Sequence, residues 1–267
     1  MSVLLQISDT HFGTEQLRVV EALAAFTAQQ RPDVVVLSGD ITQRARRAQF
    51  RVARAFVERL ATPVLAIPGN HDVPLFDVLA RVTRPYGRYR EAFGDELEPV
   101  HASADLLVQC LNTTRWWRHT SGEISTEQIE RVAARVAGAS PNQLRVIVVH
   151  QPVSVPSAGD VHNLVYRHAA AVRRWADAGA DLVMGGHIHL PYVMLMPSLS
   201  RRLWAVQAGT AVSHRVRGGQ PNSVNVLRCG RDAPRGRCLV EQWDCPAVGP
   251  AFVRAAVTEF EPQRGAP

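Results

Sequence analysis

Five short apolar runs in this chain each end at a block of polar residues that can bind metal ions. Each run reads as a buried strand, and together they occupy residues 3–7, 34–37, 64–67, 146–149 and 182–184. In open α/β sheets, the loops that leave the carboxyl ends of the strands converge on one crevice. We therefore expect the polar blocks that follow the five runs to lie together.

Between these runs, the apolar residues recur at helical spacing in four segments. The segments are 15–30, which Pro32 ends, 46–60, 74–93 and 125–136. Segment 74–93 leaves directly from one of the polar blocks, a position from which it could form a short cap over the pocket. Alternation of strands and helices along the chain predicts layered α/β packing.

Strand-like segments return after residue 189. They lie at 203–207, 223–228 and 238–243, with a last strand or packed edge at 252–260 and glycine turns at 218–219 and 230–236. We expect them to complete a second sheet stacked on the first. Since neither a repeat nor a low-complexity linker divides the sequence, we predict one domain over residues 1–267.

Composition agrees with one large α/β domain. The chain has 267 residues, of which 46% are hydrophobic, enough to cover both faces of a sheet. No apolar run is long enough to cross a bilayer, and the first strand begins without a basic leader, so we expect a cytoplasmic protein. The four cysteines have no Cys-x-x-Cys spacing, and a disulfide between Cys229 and Cys238 is not expected in a reducing compartment.

The formal net charge of +6 would ordinarily suggest a nucleic-acid partner. All thirty basic residues, however, are arginine and none is lysine, which indicates a compositional bias rather than a phosphate-binding surface. Nucleic acid is therefore not the expected partner. Five arginines are clustered in residues 44–54, and Arg44 is the one nearest in sequence to Asp40. Arg44 is therefore a candidate contact for an anionic substrate. Trp116 is a second candidate, because it could stack on a ring, although it could equally cover a hydrophobic edge.

The polar blocks contain donors for metal ions but no thiolate. Carboxylate, imidazole and amide donors suit manganese, iron, cobalt or zinc better than they suit a closed structural thiolate site. Seven donors exceed the ordinary coordination of one ion, so we expect two ions with a carboxylate between them. The donors are Asp9, His11, Asp40, Asn70, His150, His187 and His189.

The order of these blocks, Asp-x-His, Gly-Asp, Gly-Asn-His-Asp, His and Gly-His-x-His, resembles that of the calcineurin-like metallophosphoesterases. The resemblance runs from Asp9 to His189 and continues in Ala208-Gly209-Thr210. It implies a metallophosphoesterase fold, which is a four-layer α/β/β/α sandwich of two mixed sheets flanked by helices. It also implies two divalent ions, Mn2+, Fe2+/Fe3+ or Zn2+.

The resemblance also assigns roles to the residues of the blocks. The first ion would be bound by Asp9, His11, Asp40 and His189, and the second by Asp40, Asn70, His150 and His187, with Asp40 bridging the two. His71 would act beside the phosphate as a proton donor or charge stabiliser, and Asp72 would orient the loop. His214 is a further candidate for substrate contact, because it follows the Gly209-Thr210 turn.

The implied reaction is hydrolysis of a phosphate ester by a hydroxide that bridges the two ions. Binding between two divalent ions lowers the pKa of water toward about 7, so hydroxide is available at neutral pH. The blocks most resemble those of the bacterial class III cyclic-nucleotide phosphodiesterases. After Asp40, however, the chain reads Ile-Thr-Gln-Arg and lacks the acidic and glycine-bearing pattern associated with them. We therefore expect a hydrolase of small phosphodiesters in general, which include nucleotides.

Four alternatives stay open for the same fold: a nucleotide-sugar lipid pyrophosphatase, a phosphomonoesterase, a nuclease and a scaffold without catalysis. None of the blocks contains an arginine, although Arg44 and Arg115 lie close in sequence. Because a monoester carries more charge than a diester, a monoesterase would be expected to supply extra cationic groups. This favours diesters. The sequence leaves the oligomeric state open, a dimer included.

Overall fold

The computed structural model describes residues 2–230, 237–249 and 251–263. Two six-stranded sheets form the centre of this part of the chain. Their strands are β1 (Ser2–Ile7), β2 (Val34–Ser38), β3 (Val64–Ile67), β4 (Val100–Ala102), β5 (Leu106–Cys110), β6 (Leu144–Val148), β7 (Leu182–Gly185), β8 (Tyr192–Leu195), β9 (Trp204–Gln207), β10 (Asn222–Cys229), β11 (Cys238–Cys245) and β12 (Val253–Phe260). The helices are α1 (Leu17–Gln30), α2 (Arg47–Arg59), α3 (Val78–Thr83), α4 (Gly87–Phe93), α5 (Thr126–Ala137) and α6 (His168–Asp177).

Both sheets are mixed. The first has the order β12-β11-β10-β1-β2-β3, in which β1, β2 and β3 are parallel and the later strands are antiparallel. The second has the order β4-β5-β6-β7-β9-β8, with antiparallel strands only at its two edges. The carboxyl ends of the parallel strands therefore lie at one end of each sheet, and the polar blocks begin there.

Three separate apolar layers show how the sheets and helices stack. One layer lies between the sheets and joins residues such as Val36 of β2 to Val146 of β6. A second joins the first sheet to α1 and α2 through side chains such as Phe26 and Phe56. A third joins the second sheet to α5 and α6, where Trp175 is fully buried. The fold is thus the α/β/β/α sandwich that the sequence predicts.

The strands after residue 189 divide between the two sheets, which differs from the prediction. Only β8 and β9 join the second sheet, whereas β10 pairs with β1 and continues the first. β1 has β2 on one side, so its other edge carries unpaired backbone groups that β10 satisfies. The predicted strand at 252–260 is present as β12. In the predicted turn at 230–236, residues 231–236 lie outside the described part of the chain.

Segment 74–93 forms two short helices rather than one. α3 ends at Thr83, and Arg84 has φ −146°, because the following Pro85 disfavours a helical conformation in the residue before it. The short α6, β4 and β8 were not predicted. Whether segment 74–93 covers the site, and whether the chain is one domain, stay predictions.

Two predictions from the sequence concern disulfide bonds and membrane-spanning segments. All four cysteines are buried and lie outside any disulfide, Cys229 and Cys238 included. Among the described residues, no helix is both long enough and apolar enough to span a membrane.

Candidate metal centre

The loops that follow β1, β2, β3, β6 and β7 bring the predicted donors together at one end of the two sheets. Donor atoms of three residue groups lie within 4.8 Å of one another. The groups are Asp9, His11 and His189, then Asp40, His150 and His187, then His11, Asp40 and His71. Asn70 joins the second group, because its Oδ1 lies 3.2 Å from Nε2 of His150. The seven predicted donors form the wall of the site that we call the donor wall: Asp9, His11, Asp40, Asn70, His150, His187 and His189.

Asp40 lies between the first two groups. Its Oδ1 is 3.2 Å from Nε2 of His150, and its Oδ2 is 3.7 Å from Nε2 of His11. Oδ1 also accepts a hydrogen bond from the backbone N–H of His71, at 2.8 Å. The two oxygens of one carboxylate therefore face donors of both groups.

Five residues of the donor wall have backbone conformations that residues other than glycine rarely adopt. Their φ angles are positive, between 43° and 76°, at Asp9, His11, Asp40, His187 and His189. Such strain persists only where the surrounding structure holds it, and it is typical of functional sites. Hydrogen bonds between neighbouring loops hold it here: the N–H of residue 11 donates to the carbonyl of residue 40 at 2.9 Å, and that of residue 186 donates to the carbonyl of residue 150 at 2.9 Å.

Two glycines of the blocks are required because ligands approach their α-carbons closely. A Cβ at Gly69 would lie 2.0 Å from the backbone nitrogen of Asp40 and 2.2 Å from its Oδ1. At Gly186, a Cβ would lie 2.0 Å from Oγ of Ser8 and 2.3 Å from Oδ2 of Asp9. Any side chain at these positions would displace a proposed ligand, which explains why glycine stands beside the donors in the sequence.

Asp72 is not one of the seven donors. Its carboxylate connects the loop after β2 to the loop after β3 by hydrogen bonds. Its carboxylate accepts hydrogen bonds from the backbone N–H groups of Ile41, Thr42 and Gly69 at 2.7–2.9 Å, and from the hydroxyl of Thr42 at 2.8 Å. Burial raises the pKa of Asp72 to about 7, and the nearby Asp40 adds to the rise, against the effect of these hydrogen bonds. The contacts place Asp72 where it can orient the loop that carries Asn70 and His71.

The hydrogen bonds of His150 and His189 show whether a cation fits between these imidazoles and the nearby carboxylates. Nδ1 of His150 lies 3.0 Å from the carbonyl of Ser38, and Nδ1 of His189 contacts the carbonyl of Arg215. A carbonyl oxygen only accepts, so both Nδ1 atoms donate, and the Nε2 lone pair of each ring is directed at a carboxylate oxygen, an arrangement that binds either a proton or a metal ion. For His189 that oxygen is Oδ1 of Asp9, at 3.4 Å. Facing lone pairs of this kind fit a cation between them.

A second observation agrees with this fit. Nδ1 of His187 is buried and has no hydrogen-bond partner among the described residues. A buried polar atom of this kind normally has a partner. Together with a donor set of nitrogen and oxygen atoms, these features fit divalent ions of the first transition series.

The pKa shifts show which protonation states the buried donors have at neutral pH. Burial raises the pKa of Asp9, but the hydrogen bond and charge of His189 outweigh it and lower the pKa to about 2. The pKa of Asp40 is held well below its usual value, because His150 and His71 outweigh the effect of burial. Burial is the main cause that lowers the pKa of His11 to about 3 and that of His187 to about 4. At neutral pH these four residues are therefore in the forms that bind metals.

A cavity of about 720 Å³ opens in front of the donor wall. Asp40, Asn70 and His71 line it, together with His187 and His189. The lining also includes polar and cationic side chains from other segments, which we call the rim. The rim consists of Thr120, Ser121, His162, Asn163, Arg215 and Arg217.

The three predicted substrate contacts lie elsewhere among the described residues. Arg44 is exposed, with its guanidinium 5.4 Å from the ring centre of Phe76. Trp116 is 39% exposed and packs edge to face against Trp117, at 5.6 Å between ring centres. His214 is exposed and does not line the cavity, although the next residue along the chain does. Their role in substrate binding stays a prediction.

None of the rim residues was predicted from the sequence. Arg215 contacts His189 across 26 positions, and neither residue's neighbours carry a spacing signal for this contact. The one available clue was the turn before His214, which indicated a loop that returns to the site. Segment 74–93 contacts the loops beside the rim, since Tyr86 donates to the carbonyl of Thr114 at 2.9 Å, but it does not line the cavity.

Comparison with known proteins identifies the family. Residues 2–191 match the calcineurin-like phosphoesterases, so the chain belongs to that family. Over 81 residues, 26% of this chain and 29% of the relative, it is 41% identical to a glycerophosphodiester phosphodiesterase of Enterobacter lignolyticus. Over 211 residues, 70% of this chain and 61% of the relative, it is 28% identical to a cAMP/cGMP dual specificity phosphodiesterase of Mycobacterium tuberculosis.

The chain therefore spans less than two thirds of the length of these two relatives. A dimetal phosphatase from Danio rerio has a similar solved structure, with a TM-score of 0.69 at 15% identity, over 98% of this chain and 99% of that one. At this identity the similarity shows the fold alone. Family membership and the clustered Asp and His residues together support a phosphoester hydrolase that uses divalent metal ions.

Proposed function

We propose that this protein is a dinuclear metal-dependent phosphodiesterase that hydrolyses small phosphodiesters. The observation that carries the proposal is the position of Asp40, whose two carboxylate oxygens face donors of two separate groups. A carboxylate shared in this way is the arrangement that two-metal hydrolases need. The first ion would be held by Asp9, His11, Asp40 and His189, and the second by Asp40, Asn70, His150 and His187. Manganese, iron and zinc all suit these donors.

When bound, the ions would supply Lewis-acid stabilisation of charge on the phosphoryl oxygens and an activated water. The protein's own contribution is to hold the ligands in place. Carbonyl groups of Ser38 and Arg215 fix which nitrogen of His150 and His189 faces the ion. The backbone N–H of His71 fixes Oδ1 of Asp40.

His71 is the residue that we propose to protonate the leaving oxygen. Its Nδ1 lies 2.9 Å from the carbonyl of Gln43 and must donate to it, so Nε2 is left as the nitrogen that can exchange a proton with a substrate. His71 lines the cavity and lies beside Asp40. This position suits a general acid that acts next to the metal ions without needing to bind them.

Small diesters are the substrate class that the cavity and the relatives support. A volume of about 720 Å³ suits a small molecule, and the rim offers hydroxyl, amide, imidazole and guanidinium groups for its polar substituents. The two bacterial relatives are named for glycerophosphodiesters and for cyclic nucleotides, both of which are small phosphodiesters. Long nucleic acid is less well supported, because the basic residues reflect composition.

One observation favours phosphomonoesterase activity as a second candidate. The polar blocks contain no arginine, but the structure brings Arg215 into the cavity from a distant loop. An added cation there would help to bind the larger charge of a monoester.

The test compares three substrates on metal-loaded protein. We expect two ions per chain by elemental analysis, and a higher kcat/KM on bis(p-nitrophenyl) phosphate than on p-nitrophenyl phosphate. Cleavage of a single-stranded oligonucleotide should be weak. A higher kcat/KM on the monoester would replace the proposal with the second candidate. Efficient, salt-sensitive cleavage of the oligonucleotide, or one ion per chain, would also contradict it.

A further inference from the structure

The loop between β9 and β10 is fixed tightly against the donor wall. The hydroxyl of Thr210 contacts that of Ser213 at 2.7 Å, and the side-chain amide of Asn222 donates to the carbonyl of Ser213 at 2.8 Å. The backbone N–H of Arg215 donates to Oγ of Ser213 at 3.1 Å, and its carbonyl accepts from Nδ1 of His189. The backbone from which the side chain of Arg215 extends is therefore anchored on both sides.

The guanidinium of Arg215 lies in the cavity between His71 and the first group of donors. Its Nη1 is 3.2 Å from Nε2 of His71, 3.3 Å from Nδ1 of His11 and 3.2 Å from Oε1 of Gln43. These partners are two imidazoles and a neutral amide. None of them is a carboxylate that would neutralise the guanidinium.

Arg217 provides a contrast within the same cavity. Its Nη2 forms an ion pair with Oδ1 of the buried Asp160 at 2.7 Å. Within residues 2–230, 237–249 and 251–263, no carboxylate lies within ion-pair distance of Arg215. A cation that is half buried without a counterion is costly, and an anionic ligand removes that cost.

We propose that Arg215 is a substrate-binding residue whose guanidinium binds the phosphoryl oxygens of a phosphate ester in front of the donor wall. This inference rests on the proposed function, because it concerns the same cavity and the same class of substrate. It extends that function by assigning a third cationic element, supplied by the protein rather than by metal ions. Planar guanidinium groups are well matched to the oxygens of a phosphate.

The contact with His71 gives this assignment a consequence for the proton donor. A guanidinium can only donate hydrogen bonds, so Nε2 of His71 must accept while it contacts Arg215. An anionic phosphoryl group is a better partner for the guanidinium than a neutral imidazole is. Binding of substrate would therefore draw Arg215 away from Nε2 of His71 and leave that nitrogen free to face the leaving oxygen.

The experiment measures binding of inorganic phosphate to metal-loaded protein by calorimetry. We expect Arg215→Gln to weaken phosphate affinity by about tenfold to a hundredfold, the usual range for loss of a hydrogen bond to a charged group. Arg215→Lys should restore part of the affinity, because it keeps the charge but loses the planar pair of donors. Arg51→Gln is the matched control, since this arginine is exposed on α2 outside the cavity, and it should bind phosphate as the unmodified protein does.

Metal content distinguishes substrate binding from a structural role. The contact with His189 uses the backbone carbonyl of Arg215, so both ions should remain in Arg215→Gln. Loss of metal in that variant, or unchanged phosphate affinity, would overturn the inference. If the unmodified protein hydrolyses diesters while Arg215→Gln binds phosphate normally, the inference fails alone. If affinity depends on Arg215 but no ester is hydrolysed, the inference stands and the proposed function fails.

Discussion

Residues of the donor wall and of the rim line the same cavity but are held in different ways. Donors such as Asp9 and His150 are fully buried, and every donor lies two to four residues after the end of a strand. The rim residues come from loops and from the short 3-10 helix Ala158–Asn163, and several, such as Thr120 and His162, are exposed. A metal site needs its ligands held in fixed positions, whereas substrate contacts are commonly carried by loops on a rigid scaffold.

Rigidity of the donor wall is visible as strain that its neighbours compensate. Asp40 combines a positive φ with a buried carboxylate, and either feature alone would destabilise a folded chain. Hydrogen bonds from neighbouring loops hold the backbone, and facing imidazoles offset the buried charge. Arg215 and Arg217 instead reach the cavity through long side chains. The contrast predicts that changes in the donor wall act on metal content, whereas changes in the rim act on substrate.

Substitution of Asp40 should produce the largest effect. We expect Asp40→Ala to abolish hydrolysis and to lower metal content more than any other single change, because its carboxylate faces donors of both groups. Elemental analysis and turnover of bis(p-nitrophenyl) phosphate measure the two effects. Asp95→Ala is the control, because the Asp95 side chain is 98% exposed, and it should behave as the unmodified protein does. Full metal occupancy with normal turnover in Asp40→Ala would remove the basis of the two-metal assignment.

Substitution of His71 should separate catalysis from metal binding. We expect His71→Ala to keep both ions and to lose about 10²–10⁴-fold in kcat on alkyl phosphodiesters, the usual contribution of a general acid. Nitrophenyl esters should lose much less, since their leaving oxygen needs little help from a proton. His101→Ala, on the edge strand β4, is the control.

Equal losses on alkyl and nitrophenyl esters would instead indicate that His71 stabilises charge on the phosphoryl group. Loss of metal in His71→Ala would make His71 a ligand. The third group of donors, which contains His11, Asp40 and His71, gives that outcome a structural basis. Metal content and the loss of kcat together therefore decide whether His71 acts on metal binding, as the donor wall does, or on the substrate, as the rim does.

The donor wall could be predicted from sequence because its signals are local. Each donor lies within four residues of the end of a strand, as Asp9 does after β1, and parallel strands bring such positions together by geometry. The layered fold could be predicted for the same reason. Pairing of β10 with β1 could not, because it joins residues more than 200 positions apart and depends on which strand edge is left free.

The rim lay beyond sequence reasoning because nothing local marks it. Arg215 belongs to a loop without strong periodicity, and its contact with His71 spans 144 positions. The chain has thirty arginines, and composition alone explains most of them, so the sequence does not distinguish Arg215 from the others. Proximity in sequence favoured Arg44 instead, but that side chain points to Phe76 outside the cavity lining.

Stability should depend on pH in protein stripped of metal by a chelator. Burial lowers the pKa of His150, but the carboxylate of Asp40 raises it more, to about 9 from its usual 6.5. Because the folded pKa is the higher one, the stabilisation is complete below about pH 6.5 and is lost as pH rises through about 9. We therefore expect the Tm of stripped protein to fall between these values.

Metal loading should remove most of this dependence, because a bound cation then takes the place of the proton on His150. The pKa of Asp72 is raised only to about 7, so its own loss of stability with rising pH is largely over before the upper half of this range. His189 also has a raised pKa and acts in the same direction as His150. A Tm of stripped protein that stays constant over the range would contradict the charge pattern of the donor wall.

Side chains near the rim but outside the cavity lining should give the smallest effects. Trp116→Ala and His214→Ala each change an exposed side chain that does not line the cavity. Surface changes of this kind usually alter free energies by less than about 0.5 kcal/mol, so we expect KM for bis(p-nitrophenyl) phosphate to change by no more than about twofold. Arg215→Gln, measured beside them, should change it more. A larger rise in KM for Trp116→Ala than for Arg215→Gln would show that the loop around residue 116 closes over bound substrate, and that the rim extends beyond the residues that line the cavity here.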